Sequence, residues 1–160
     1  MKNYIKCFLL IIICFMFEIW WRKELKFYGV TPNIALCALI YIFANKKSPI
    51  TEAASFAVGL IEYAVLGTFA SLITYLIIIP VAGFFQKYIQ ENIIFYLINI
   101  LITTCIYEIS MWIFGLFKNV NFSANSKLIL IQISYNIIIG AFLYLLLNAF
   151  NYFEKETDFQ

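Results

Sequence analysis

From Tyr4 to Phe150 the chain is a succession of apolar runs, each of roughly 13 to 25 residues, divided by short polar joints. Runs of this length match the hydrocarbon thickness of a bilayer. Inside a bilayer the backbone must satisfy its own hydrogen bonds, so the runs are read as helices. Of the 160 residues, 64% are hydrophobic and 12% charged, too little charge to cover a soluble surface. The expectation is an all-α, polytopic inner-membrane helix bundle of about six transmembrane segments, with residues 1–160 forming a single integral membrane domain. The net charge of +2 is spread in ones and twos, as membrane flanks are, and gives no reason to expect nucleic acid.

The chain has no histidine, which removes histidine general bases and relays and most zinc and haem sites. Cys7, Cys14, Cys37 and Cys105 lie inside apolar runs and form no CxxC pair, so they read as small buried hydrophobes. No metal site and no cofactor are expected. Lys2 and Lys6 precede CFLLIIICFMF, but Glu18, Trp20, Trp21 and Arg22 follow where a cleavage site would need small residues. The run therefore reads as a retained first helix, Tyr4 to Trp21, with Tyr4 and the tryptophan pair anchoring its two ends.

Thr31-Pro32 predicts the start of a second helix, with Thr31 as N-cap and Pro32 at its first position. That helix ends near Asn45. About thirteen residues span roughly 20 Å, short for a full crossing, so it must lean on its neighbours. Ser48-Pro49 starts a third helix, ending at Gly67. Ser55, Gly59, Tyr63 and Gly67 recur every four residues on one face, mostly small, that another helix could approach closely. The turn 67–71 leads to a fourth helix from Leu72 to Lys87, which Pro80 and Gly83 are expected to kink. A fifth runs from Asn92 to Phe117. After a polar loop a sixth follows, from Leu128 to Phe150, with Gln132, Asn136 and Gly140 on one stripe.

Glu62 and Glu108 stand deep in apolar runs, where a charge costs about 2.5–3.5 kcal/mol on insertion scales. Each is either a functional group, binding an ion, a proton or a partner, or a hydrogen-bonded carboxyl that holds helices together. Glu18 has Arg22 one turn away, which predicts a local ion pair. Gln132, Asn136, Asn99, Thr103 and Thr104 read first as bridges between helices. No GxSxG, Gly-rich phosphate loop or pair of acids at helical spacing within an apolar run is present, so no catalytic residue is expected.

The stretch from Thr31 to Phe85 resembles MreD, the rod shape-determining membrane protein of the bacterial cell-elongation machinery. The likeness is carried by Pro32-Asn33, the basic turn Lys46-Lys47-Ser48-Pro49, the segment Gly59-Leu60-Ile61-Glu62-Tyr63, and Gly67-Thr68 leading into FASLITYLIII. Aligning Pro32, Gly59 and Gly67 places Tyr63, not Glu62, where the family carries an Asp. The acid has moved one position, about 100° around a helix. The resemblance implies a multi-pass, non-catalytic platform in the bacterial inner membrane, serving peptidoglycan synthesis and cell shape. Its partners would be an MreC-like single-span protein, a RodA-like glycosyltransferase, a class B transpeptidase and an MreB-like filament. Pro32, Asn33, Gly59, Glu62, Tyr63 and Gly67 would then form the partner-binding region.

A second reading, from a different class, is the solute-binding membrane subunit of an energy-coupling-factor-type transporter. There Glu62, Glu108, Gln132 and Asn136 would converge on a pocket. Six crossings put both termini on one side, and the nearly even split of Lys and Arg favours the inside only mildly.

Overall fold

Ile34 to Ala44 are all buried, and the helix they form is the axis of the molecule. The structure is a computed structural model, and it describes residues 2–24, 30–45, 48–66, 69–89, 93–116, 122–150 and 152. Six helices lie within these residues: α1 (Lys2–Glu24), α2 (Ile34–Asn45), α3 (Ser48–Leu66), α4 (Phe69–Ile89), α5 (Ile93–Leu116) and α6 (Phe122–Ala149). The protein is all-helical, and three stretches are long and apolar enough to cross a membrane: Tyr4–Glu24, Ile93–Ile113 and Lys127–Ala149.

The five longer helices surround α2, and each of them packs on it. Around this ring α1 meets α3, α3 meets α4, α4 meets α5, and α5 meets α6. The ring stays open at one seam, because α1 and α6 do not pack on each other among the described residues. At one end of the molecule the seam is bridged. Tyr152 donates its hydroxyl to the Lys6 carbonyl at 2.9 Å, and Lys6 Nζ donates to the Tyr152 carbonyl at 3.3 Å. The two ends of the described chain therefore lie together.

The outward faces are apolar, and the interior, apolar around α2, also holds polar and acidic groups, which is unlike a water-soluble bundle. Met16, Leu130, Ile138, Phe142 and Leu145 are all more than 60% exposed, whereas Glu18, Asn33, Glu62, Asn99, Thr104 and Asn136 are 0–3% exposed. Only a surrounding hydrocarbon phase makes such an arrangement favourable.

At 12 residues α2 is about 18 Å long, and its two ends fall inside the bundle. Buried helix ends leave unpaired N–H and C=O groups that side chains must satisfy. Asn33, not Thr31, is the N-cap: its Oδ1 accepts the Leu36 N–H at 2.8 Å. The expected cap thus lies two residues too early, and Pro32 precedes the helix instead of opening it. Glu18 Oε2 accepts the Ala35 N–H at 3.0 Å, placing a carboxylate at the positive end of the helix dipole. At the other end Asn45 Nδ2 donates to the Tyr41 carbonyl at 2.8 Å.

The predicted helices are present with shifted ends. α4 begins at Phe69, three residues before the expected start, and α6 begins at Phe122 within the expected polar loop. The turn at Gly67 lies outside the described residues. The small face of α3 is used within the chain. Ser55 Oγ donates to the Tyr75 carbonyl at 3.2 Å, and a Cβ at Gly59 would stand 3.1 Å from Leu72 Cδ1 and 3.4 Å from Tyr75 Cβ. Gly59 therefore allows α3 and α4 to approach closely. Pro80 and Gly83 sit on the exposed side of α4.

Candidate functional site

A carboxylate with no exposure lies where α2, α3, α4 and α5 meet. Glu62 Oε1 accepts the Tyr75 hydroxyl at 2.9 Å and Asn33 Nδ2 at 3.3 Å, and Oε2 accepts the Tyr107 hydroxyl at 3.0 Å. Three donors from three other segments thus surround one buried acid, which is how a carboxyl group is tolerated in an apolar interior. Asn33 also donates from Nδ2 to the Tyr75 hydroxyl at 3.2 Å.

The backbone N–H of Asn33 continues the network to α6. It donates to Asn136 Oδ1 at 2.7 Å, and Asn136 Nδ2 donates to Thr104 Oγ1 on α5 at 3.0 Å. Asn33, Glu62 and Asn136, singled out separately in the sequence, are therefore parts of one network. Gly140, one turn further along α6, meets Ile100 and Cys37. A second buried acid ties in α1. Glu18 is 0% exposed, caps α2 and pairs with Arg22 Nη2. The expected ion pair is present. The fully buried Glu18 carboxylate also holds the start of α2.

Thr104 and Asn136, both read from the sequence as bridges between helices, bond to each other, whereas Tyr75 and Tyr107 are not singled out by the sequence reading. A signal for the tyrosines was available: both sit within apolar runs, away from the interfacial positions tyrosine favours, and a buried phenol needs a hydrogen-bond partner. Asn99 is fully buried, and neither polar atom of its side chain has a partner among the described residues. Tyr63 points away from the network. It is 43% exposed and packs edge-on against Phe69.

Beside the buried network is a cleft of about 240 Å³. Arg22, Thr31, Asn33, Tyr107, Glu108 and Gln132 contribute to its wall. Arg22 comes from the end of α1, Thr31 and Asn33 from the segment just before α2, Tyr107 and Glu108 from α5, and Gln132 from α6. Glu108 and Gln132 thus face the cleft, while Glu62 and Asn136 are engaged behind it. Among the described residues no group of three or more Cys, Asp or Glu side chains is placed to hold a metal ion. Cys7, Cys14 and Cys37 are buried free thiols, and Cys105 is half-buried.

Compared with models of protein families, with curated proteins and with solved structures, the chain has no match.

Proposed function

We propose that this chain is a non-catalytic, six-pass helical platform of the bacterial inner membrane. It would serve the cell-elongation complex as MreD-like proteins do, in partnership with an MreC-like single-span protein. The observation that carries the reading is the bond between Asn33 and Glu62. The two polar signatures of the resemblance, Pro32-Asn33 before α2 and Gly59 to Tyr63 on α3, meet in one network. Glu62 reaches Asn33 directly, which supports it as the acid of this chain despite its shift by one position. Tyr63, at the position of the family's Asp, stands exposed beside Phe56 and Leu60 on α3 and offers an outward aromatic contact for a partner helix.

Of the six passes, α1, α5 and α6 have the length and hydropathy for three. α3 and α4, at 19 and 21 residues, have the length for two more, with α2 crossing inside the bundle. RodA-like, class B transpeptidase and MreB-like components would be reached through the MreC-like partner. The test is affinity purification of the full chain from its native membrane, together with depletion in growing cells. Co-purification of a single-span protein with a large periplasmic domain, and rounding of rod-shaped cells, are the expected results. Purification without such a partner and unchanged cell shape would reject the reading.

One observation favours the second reading, a solute-binding subunit of an energy-coupling-factor-type transporter. The cleft at Arg22, Glu108 and Gln132 is polar and lies beside a preformed network. A stoichiometric metabolite found by mass spectrometry in the purified protein, with no MreC-like partner, would select it.

A further inference from the structure

The charges of the cleft do not balance at a single point. Arg22 Nη2 is paired with Glu18, but the Arg22 side chain remains 28% exposed, and its buried Nε has no acceptor among the described residues. In the same cleft stand Glu108 and Gln132, whose side chains take part in no hydrogen bond or ion pair among the described residues. A lone anion would meet the Glu108 carboxylate, and a lone cation would meet Arg22. A small molecule carrying both charges suits the pair.

Size and depth narrow the class. A cleft of about 240 Å³ has room for a small polar group. Arg22 directly follows the Trp20–Trp21 pair at the polar end of the first apolar run, and the fold brings Glu108 of α5 and Gln132 of α6 to the same cleft. Trp20 and Trp21 mark the interface on α1. The cleft also takes its wall from both α1 and α6, which do not pack on each other among the described residues, so the seam between them is the route a headgroup would take from the bilayer.

We propose that this cleft binds a phosphoethanolamine group, with its ammonium on the Glu108 carboxylate and the Gln132 side-chain oxygen, and its phosphate on the Arg22 N–H groups not engaged with Glu18. A primary ammonium offers three N–H donors to these acceptors, and a guanidinium fork matches phosphate oxygens. A choline headgroup has the same charges but no N–H, so it forfeits the bonds to Glu108 and Gln132. The group can be carried by an aminophospholipid or by a soluble phosphoethanolamine, and the open seam favours the lipid. The assignment needs only the membrane location and the cleft, so failure to recover an MreC-like partner would leave it standing.

The full-length protein in detergent is titrated with short-chain phosphatidylethanolamine, with phosphatidylcholine of the same chains, and with free O-phosphoethanolamine. Thermal unfolding and native mass spectrometry report binding. Saturable binding of phosphatidylethanolamine is expected, weaker by about tenfold for the choline lipid and by about tenfold in Glu108→Gln, the worth of one charge-assisted hydrogen bond. Gln132→Leu provides a second variant outside the buried Glu62 network, and Ile109→Val, on the exposed side of α5, should bind as the parent does. Binding of the free compound as tightly as the lipid would identify a soluble source, and binding of the lipid alone a headgroup; either supports the assignment. Equal binding of both lipids, or binding unchanged in both Glu108→Gln and Gln132→Leu, would overturn it.

Discussion

The Tyr107 hydroxyl donates to Glu62 Oε2 at 3.0 Å, while Tyr107 also forms part of the cleft wall. One side chain on α5 thus connects the polar cleft with the buried acid on α3. Asn33, also in the cleft wall, donates to the same carboxylate at 3.3 Å, so two side chains link the cleft wall to the network.

Glu62→Leu removes the common acceptor of Tyr75, Tyr107 and Asn33, and each buried donor left unpaired costs about 1–3 kcal/mol. A large fall in the thermal unfolding temperature in detergent is expected. Glu62→Gln should fall less, because its carbonyl oxygen still accepts. Tyr107→Phe should cost about 1 kcal/mol, and combined with Glu62→Gln it should show non-additivity of at least about 0.5 kcal/mol. Additive effects would mean that the two side chains are not coupled.

Glu18→Leu should destabilise the protein about as much as Glu62→Leu. It leaves Arg22 without its partner and the Ala35 N–H uncapped, and breaking a buried pair from one side costs about 3–5 kcal/mol. Parallel unfolding curves of the two variants compare them directly, and a nearly parental Glu18→Leu would contradict the buried position of this carboxylate.

Asn33→Ala should cost at least about 1–2 kcal/mol through loss of the cap alone, whereas Thr31→Ala should stay within about 0.5 kcal/mol. Asn33→Ser keeps a capping oxygen but not the amide that reaches Glu62, so it should fall between the parent and the alanine variant. Denaturant midpoints of the three variants would show this order.

Gly140→Ala should destabilise, because a Cβ there overlaps Ile100 Cδ1. Ile100→Val removes that methyl and should restore part of the loss in the double variant. Gly83→Ala, with nothing within 4 Å of the added Cβ, should be neutral or slightly stabilising through helix propensity. Thermal unfolding of the set separates steric overlap from a general effect of replacing glycine.

Both termini should be found on one side of the membrane, because Lys6 and Tyr152 bond to each other at one end of the bundle. Reporter fusions at the two ends measure this; fusions active on opposite sides would require an odd number of crossings.

The sequence by itself determined the helices, the membrane environment and the Glu18–Arg22 pair. Apolar run length, the Ser48-Pro49 start and a spacing of four residues are local signals that survive any packing. Only the tertiary structure decided which polar groups share a network. Asn33 meets Glu62 across 29 residues and Asn136 across 103, and no local pattern encodes separations of that kind. It also decided the cap of α2. Thr31 and Asn33 are both capping residues by type, but Asn33 is the one that Asn136, Glu62 and Tyr75 hold in place. The burial of Glu18 was equally invisible from its position near an apparent helix end. A short helix sunk in the bundle has ends that need partners, and Glu18 on the neighbouring helix supplies one.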